Sequence, residues 1–399
     1  MALPGPAGGR RRPGLGPRVR VLATALFLYG FGQELWFRYL PAYLRALGLS
    51  ALGVGLFGAL KDFLDAAYAY PGGVLADRLG AGRALVLFGA LGAAGFGILF
   101  FWPSAAGIFV GLFFVLCWPA LGLPATFSLI GEDLDGGRRI TGFTVQAVLK
   151  RIPIVAAPPL GGLLLERLGM RNGMRTGFAA SVVISLVALA ALTRGLRKAG
   201  GAGVSKERRS FARASKVRLD PALKQLLIAD CLVRLCEGLP EVFVVIWAIE
   251  VVRVSPAGFG LLTSVLMATA IVSYLPAVAL AERAEKKSFI LLTYFFFSLF
   301  PLAVLWSRSF AGLAAAFAIG GLREIGEPAR KALIVELCAP GGRGRTVGLY
   351  YTIRGFAVAG AAAAGGVLWT VRPALTFLVA AALGVLGTAW AALFLPSKK

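Results

Sequence analysis

Long apolar stretches run from about residue 20 almost to residue 394, separated by short segments that contain Gly, Pro or charged residues. Several exceed the roughly 18 residues that a helix needs to cross a bilayer. Breaks divide them at Gly48, Pro103, Gly136-Gly137, Pro256, Pro340-Gly341-Gly342 and Pro373. The pattern predicts an all-α membrane protein with twelve membrane-spanning helices, at residues 20–46, 51–76, 82–102, 105–131, 141–165, 175–193, 223–250, 257–280, 288–306, 311–336, 346–369 and 374–394.

Part of this pattern occurs twice. Residues 71–78, Pro-Gly-Gly-Val-Leu-Ala-Asp-Arg, return 205 positions later as residues 276–283, Pro-Ala-Val-Ala-Leu-Ala-Glu-Arg, and residues 50–56 match residues 255–261. Further matches lie at Gly122 and Gly326, and at Gly161-Gly162 and Gly365-Gly366. A parallel repeat of this size is typical of certain secondary transporters. We therefore predict a basic tail at 1–19, an N-terminal half at 20–193, a basic linker at 194–219, a C-terminal half at 220–394 and a tail at 395–399.

The composition supports this interpretation, because 58% of the residues are hydrophobic and only 15% are charged. The net charge of +23 comes largely from the N-terminal tail, the linker and the loops on one predicted side of the membrane. Basic loops mark the cytoplasmic side, so we expect a multi-pass protein of the plasma (inner) membrane with both termini in the cytoplasm. Only the predicted loop at 166–175, with Arg167, Arg171 and Arg175, disagrees. Anionic lipid explains the positive charge better than nucleic acid does.

The residue types also limit the chemistry. The chain has no histidine, and its four cysteines lack the spacing of a metal site. We therefore expect no metal, no cofactor and no enzymatic activity, and any proton relay must use carboxylates. No nucleotide-binding loop is present, so ATP-driven transport is unsupported.

At the end of the second predicted helix, the chain reads Gly73-Val74-Leu75-Ala76-Asp77-Arg78-Leu79-Gly80-Ala81-Gly82-Arg83. This string resembles the loop after the second helix in the major facilitator superfamily, and residues 280–283 are its weaker second copy. The resemblance implies that this loop latches one state of the transporter, with Gly73, Asp77, Arg78, Gly80, Glu282 and Arg283 as gating residues. It also implies that helix two packs beside helix eleven, and helix five beside helix eight.

Two further positions concern the branch of the superfamily. The stretch Ala157-Pro158-Pro159-Leu160-Gly161-Gly162 resembles the Gly-Pro-x-x-Gly-Gly of drug–proton antiporters, although small residues also serve simple helix packing. In that branch an arginine stands where this chain has Trp118. Proton coupling through that arginine is therefore not expected here.

Charged residues lie near the middle of several predicted spans. A charge that faced lipid there would cost roughly 3 kcal/mol, so these residues must face the interior and mostly pair. Spacing predicts the pairs Glu34–Arg38, Lys61–Asp65, Arg323–Glu327 and Arg234–Glu237. The predicted cavity residues are Glu34, Arg38, Lys61, Asp62, Asp65, Trp118, Lys150, Arg151, Arg234, Glu237, Glu241, Arg323, Glu324, Glu327 and Arg354.

Lys150 and Arg354 occupy equivalent positions in the two repeats, and neither has a carboxylate one turn away on its own helix. We expect Arg354 to pair with Asp62 or Asp65 across the halves, and Lys150 to be left for an anionic substrate or a central carboxylate.

The sequence thus predicts a monomeric transporter of a small-molecule substrate that works by alternating access in the lipid bilayer. Proton-coupled export is the leading interpretation, and proton-coupled uptake of an organic anion is the alternative. A transport-inactive membrane receptor or scaffold is the competitor from another class, and a flux assay separates it from a transporter.

Overall fold

The structure is a computed structural model that describes residues 17–122, 125–126, 136–198, 219–281, 285–338 and 343–395. The side chains of residues 17, 69, 136–150, 274–281 and 343–345 lie outside this description. The described residues form helices and no strand. The α-helices are α1 Pro17–Glu34, α2 Leu40–Ala46, α3 Ala51–Leu79, α4 Ala81–Phe101, α5 Ala105–Val115, α6 Gly136–Lys198, α7 Pro221–Gly238, α8 Val244–Ile246, α9 Pro256–Ala281, α10 Lys286–Trp306, α11 Phe310–Gly321, α12 Glu327–Glu336, α13 Arg343–Ala359, α14 Ala361–Val371 and α15 Pro373–Phe394.

Six helical segments of the described chain are long and apolar enough to cross a membrane. They are Ala81–Phe101, Arg151–Lys198, Pro256–Ser273, Lys286–Trp306, Thr346–Val371 and Pro373–Phe394. Large apolar side chains on their outer faces are exposed, among them Val183, Val272 and Leu393. Exposed apolar surface of this extent fits a protein that is surrounded by lipid. The count of twelve spans stays a prediction.

Two predicted loops are single-residue breaks in long helices. The helix α3 continues to Leu79, past the predicted end at residue 76, and only Gly80 at φ 82° separates it from α4. The loop predicted at 166–175 is a shorter break than expected, because two helical stretches of α6 meet there at one non-helical residue, Gly169 at φ 76°. Glycine adopts positive φ at no steric cost, so one residue is enough to turn the chain.

Irregular helical turns also interrupt other predicted spans. A 3₁₀ turn at Phe37–Tyr39 separates α1 from α2, and another at Leu322–Glu324 separates α11 from α12. Single π-helical turns occur at Cys117–Leu121 and Trp247–Val251. Irregular turns of this kind, set inside helices, often occur at functional sites. Here three of them contain charged residues, among them Arg38 and Arg323 of the predicted cavity set.

The predicted halves meet along two helix pairs, α3 with α13 and α14, and α6 with α9. This confirms the pairing that the family resemblance implied. A Cβ atom at Gly55 of α3 would lie 2.5 Å from the carbonyl oxygen of Ala362, and one at Gly260 of α9 would lie 2.5 Å from that of Pro158. Gly260 follows Gly55 by 205 positions, and Ala362 follows Pro158 by 204. The same close helix contact is therefore made twice, at repeat-related positions.

Hydrogen bonds reinforce the contact between α6 and α9. Pro159 has no N–H, so the carbonyl of Val155 loses its helical donor. The hydroxyl of Ser264 on α9 donates to that carbonyl instead, at 2.5 Å. The buried hydroxyl of Tyr39 donates to the carbonyl of Pro158 at 2.6 Å and lies 3.0 Å from that of Pro256. These contacts close the bundle at the end where α3 and α9 begin, which we call the sealed end.

Candidate transport cavity

A cavity of about 340 Å³ lies between the two predicted halves, below the sealed end. Its wall carries five charged side chains, all of them in the predicted cavity set: Arg38, Lys61, Glu237, Glu241 and Arg323. The rest of the described wall is mainly apolar and includes the rings of Phe37, Phe57, Phe259, Phe300 and Phe317. A mostly apolar concave site with a few placed charges is the usual form of a small-molecule site.

Two cations on the cavity wall from the N-terminal half, Arg38 and Lys61, are held by carboxylates. Arg38 Nε lies 2.9 Å from Glu34 Oε2, as the i,i+4 spacing predicts. Lys61 Nζ lies 2.6 Å from Glu241 Oε1 and 3.1 Å from Asp62 Oδ1. The nearest carboxylates to the Lys61 ammonium are therefore Glu241, between α7 and α8, and the neighbouring Asp62, and the predicted pair with Asp65 stays a prediction.

The contact between Lys61 and Glu241 joins the two predicted halves. A second ion pair does the same on the other side of the bundle, where Arg151 Nη2 lies 2.9 Å from Glu324 Oε2. Both carboxylates are partly exposed, with 43% of the Glu241 side chain and 36% of the Glu324 side chain accessible. Partial solvation of the carboxylates makes these ion pairs weaker than fully buried ones.

A buried ion network lies behind the cavity in the C-terminal half. Arg330 on α12 places Nη1 2.5 Å from Asp230 Oδ2 on α7 and Nη2 2.8 Å from Glu327 Oε2. Arg234 contacts Glu327 at 2.6 Å and Glu237 at 2.7 Å, so the network reaches the cavity wall. Asp230 also accepts a hydrogen bond from the hydroxyl of Tyr350 at 3.0 Å.

The sequence analysis missed the two residues at the centre of this network, Asp230 and Arg330, of which only 1% and 3% of the side chains are exposed. They lie nearer the ends of the predicted spans and so escaped the search at the midplane. Their spacing was an available signal, because Asp230 is four residues before Arg234 and Glu327 is three before Arg330.

Two predicted partners differ in the structure. Arg323 does not pair with Glu327, since the 3₁₀ turn Leu322–Glu324 breaks the helix between them and removes the shared face. Its nearest carboxylate oxygen is Glu237 Oε1, at 3.5 Å. The ion pair of Arg354 lies within the C-terminal half, 3.4 Å from Asp230 Oδ2, so the predicted pair with Asp62 or Asp65 is wrong.

The other predicted residues fall into three groups. Asp77 and Arg78 lie exposed in the last turn of α3, and Gly73 lies about one turn earlier in the same helix. Trp118 is buried with its ring stacked on Tyr29 at 4.3 Å, so it belongs to the core of the N-terminal half and not to the described cavity wall. The side chain of Lys150 and the whole of Glu282 and Arg283 lie outside the described residues.

Apolar membrane-length helices around a central, charge-lined cavity define a multi-pass membrane protein of the transport class. The family model of the Major Facilitator Superfamily matches residues 22–247 and again residues 226–399, and the chain belongs to this superfamily.

Relatives agree with that assignment. Uncharacterised MFS-type transporters from two strains of Mycobacterium tuberculosis, CDC 1551 / Oshkosh and ATCC 25618 / H37Rv, are each 31% identical over 175 residues. Each match covers 43% of this chain and only 40% of the relative.

Solved structures share the fold over nearly the whole chain. A mutant of the peptide transporter POT is 18% identical with a TM-score of 0.78, covering 97% of this chain and 95% of the other. A POT family transporter in complex with 5-aminolevulinic acid is 15% identical with a TM-score of 0.78, covering 96% of each chain. A mutant of the nucleoside transporter NupG is 14% identical with a TM-score of 0.74, covering 94% of this chain and 100% of the other. At these identities the likeness concerns the fold.

Proposed function

We propose that this chain is a secondary active transporter that moves a small organic solute across the membrane by alternating access between two six-helix halves. The observation that carries the proposal is the cavity itself, which takes charged side chains from both predicted halves and lies beside ion pairs that cross between them. The structural neighbours include transporters of peptides and of nucleosides, which are small organic solutes.

The helix contacts of the sealed end support a state that is closed on one side. If the basic loops are cytoplasmic, the starts of α3 and α9 lie outside, and the closed end faces the exterior. Opening that end would require α3 to part from α14 and α6 from α9, and the two repeat-related contacts would separate together. The ion pairs Lys61–Glu241 and Arg151–Glu324 would break in the same step.

We propose that transport is coupled to protons, and the available residues limit which groups could carry them. The chain has no histidine, so protons in the cavity must be carried by carboxylates such as Glu241 and Asp62, which share Lys61. Protonation of Glu241 would remove its attraction for Lys61 and weaken the link between the halves. We propose proton-coupled export from the plasma membrane as the working direction, with the drug–proton antiporter branch as the nearest sequence pattern.

The alternative is proton-coupled uptake of an organic anion. One observation favours it: Arg323 on the cavity wall lacks a carboxylate partner closer than 3.5 Å. A cation without a short partner is available to a negatively charged solute.

Flux in proteoliposomes with an imposed pH gradient tests the proposal. A panel of amino acids, dipeptides, nucleosides and aromatic acids is offered on either side, and the direction of the gradient that drives accumulation separates export from uptake. Lys61→Glu is expected to reduce flux at least about tenfold, and the swap of Lys61→Glu with Glu241→Lys is expected to restore part of it. Lys224→Glu changes an exposed charge on α7 and serves as the control.

Accumulation that depends on neither the pH gradient nor Lys61 would contradict coupling through these carboxylates. No flux of any solute, with tight binding of one of them, would favour the receptor or scaffold instead.

A further inference from the structure

The charges on the described cavity wall are matched, with one exception. Arg38 and Lys61 have carboxylate oxygens at 2.9 and 2.6 Å, and Glu241 is the partner of Lys61. Glu237 is held by Arg234 at 2.7 Å. Arg323 alone among these five has no opposite charge within 3 Å, since its contact with Glu237 is 3.5 Å long.

The backbone fixes the Arg323 side chain but leaves most of its hydrogen-bonding capacity unused. Its Nε donates to the carbonyl of Gly320 at 2.7 Å. Among the described residues, its terminal nitrogens make only the long contact with Glu237. A guanidinium has five N–H donors in a planar fork that matches a carboxylate, and its side chain here is only 13% exposed. Charge removed from water in this way needs a partner.

Aromatic rings surround this cation. The Arg323 guanidinium lies over Phe300 at 4.6 Å and over Phe297 at 4.9 Å. Phe317 is next to Phe300, with ring centroids 5.8 Å apart, and Phe259 follows at 6.0 Å. The cavity therefore has one side lined by Arg38 and Lys61 and an aromatic side on α9, α10 and α11, where the contact of Arg323 with a carboxylate is long.

From this arrangement we propose that the cavity binds an amphipathic organic monoanion, with its acidic group on Arg323 and an apolar or aromatic body against Phe259, Phe300 and Phe317. This proposal rests on the proposed function, since it takes the cavity as the substrate site. A cationic solute meets no unmatched carboxylate on the described wall, because Glu237 and Glu241 are both engaged. The volume of about 340 Å³ limits the ligand to a small molecule.

The affinities of four probe compounds separate the contributions of the acidic head group and the apolar body. The affinities are measured by isothermal titration calorimetry on the purified full chain in nanodiscs. The four compounds are 4-phenylbutyrate, the neutral 4-phenyl-1-butanol, the cationic 4-phenylbutylamine and the ringless butyrate. We expect 4-phenylbutyrate to bind at least about tenfold more tightly than each of the other three, because it alone combines an acidic group with an aromatic body.

Substitutions assign the head group to Arg323. Arg323→Gln is expected to weaken the binding of 4-phenylbutyrate at least about tenfold and to leave the affinity for 4-phenyl-1-butanol within about twofold of the wild type. Arg323→Lys is expected to retain part of the 4-phenylbutyrate binding. Unchanged alcohol binding shows that the cavity has kept its shape. Arg372→Gln, at an exposed position outside the cavity, is expected to bind like the wild type.

Stronger binding of the amine than of the acid, or unchanged acid binding in Arg323→Gln, would overturn the proposal. If Arg323→Gln does not fold, the order of the four probe affinities for the wild type tests the proposal by itself. A positive flux assay with a cationic or neutral solute would leave the transporter proposal standing and reject the anionic substrate. Absence of any gradient-driven flux would reject the transporter itself.

Discussion

Replacing Arg330 by methionine removes the cation at the centre of the buried network in the C-terminal half. The substitution breaks two contacts at once, 2.5 Å to Asp230 Oδ2 and 2.8 Å to Glu327 Oε2, where the Arg330 side chain is 3% exposed. Glu327 retains Arg234 at 2.6 Å, but Asp230 is left with the hydroxyl of Tyr350 and with long contacts to Arg354 at 3.4 Å and Arg234 at 3.9 Å.

The expected loss of unfolding free energy follows from these remaining contacts. Removing one partner of a buried ion pair typically costs about 3–5 kcal/mol. Because the stranded carboxylates keep other donors, we expect Arg330→Met to lie at the lower end, near 3 kcal/mol of unfolding free energy. Asp230→Asn should cost less, about 1–2 kcal/mol, since Arg330 still has Glu327. The double variant should cost less than the sum of the two, by about 1 kcal/mol or more, because no uncompensated Asp230 charge remains.

Reversible unfolding by SDS in dodecyl maltoside micelles measures these differences through the fluorescence of the seven tryptophans. Arg372→Met, at an exposed position, is the control and should change the free energy by no more than about 0.5 kcal/mol. If Arg330→Met behaves like that control, or if the double variant equals the sum of the single ones, the network does not stabilise the fold as argued.

Two further substitutions test the sealed end. Gly55→Ala places a Cβ 2.5 Å from a carbonyl oxygen of α14, and overpacking of this kind costs about 1–3 kcal/mol. In a chain that also carries Val242→Cys, the new thiol should therefore react several-fold faster with a membrane-impermeant maleimide. Gly97→Ala, a position where nothing lies within 4 Å of the added Cβ, should leave the reaction rate of that thiol unchanged. Ser264→Ala leaves the carbonyl of Val155 without a donor and should lower the free energy of unfolding by about 1–2 kcal/mol in the same unfolding assay. Adding Pro159→Ala should recover part of that loss, because an alanine at this position again donates its N–H to the Val155 carbonyl. Equal stability of the single and double variants would contradict this account.

The charges of the cavity wall could be predicted to lie in the interior, because a charge in the apolar part of a span cannot face lipid, whereas Asp230 and Arg330 nearer the ends of their spans were missed. Their partners could be predicted only where the helix is regular. The spacing of Glu34–Arg38 and of Arg234–Glu237 holds in the structure. The i,i+4 spacing fails for Arg323 and Glu327, because a 3₁₀ turn changes the direction of the side chains. We found no sequence pattern that predicted this turn.

Contacts between the halves depend on long-range packing, which a single sequence does not contain. Nothing in the neighbourhood of Lys61 indicates that its nearest carboxylate is Glu241, 180 positions away. The close helix contacts are an exception, because the repeat links Gly55 to Gly260. Once the family resemblance supplied the helix pairs, both contacts could be placed.

The strengths of these contacts bear on how the halves move. Inside the C-terminal half, Arg330 is held by two carboxylates in a nearly dry network, and such groups cost several kcal/mol to separate. Inside the N-terminal half, Tyr29 is buried against Trp118 and bonds to the carbonyl of Gly89.

Across the halves, the carboxylate ends of the ion pairs are partly exposed, as for Glu241 at 43%, and exposure of this kind weakens an ion pair. Separating the halves at these ion pairs therefore costs less than breaking the buried network of the C-terminal half, and the close helix contacts of the sealed end must part in the same movement. The proposed alternating access then requires each half to move as a unit, with the cavity opening and closing at the weak contacts between them.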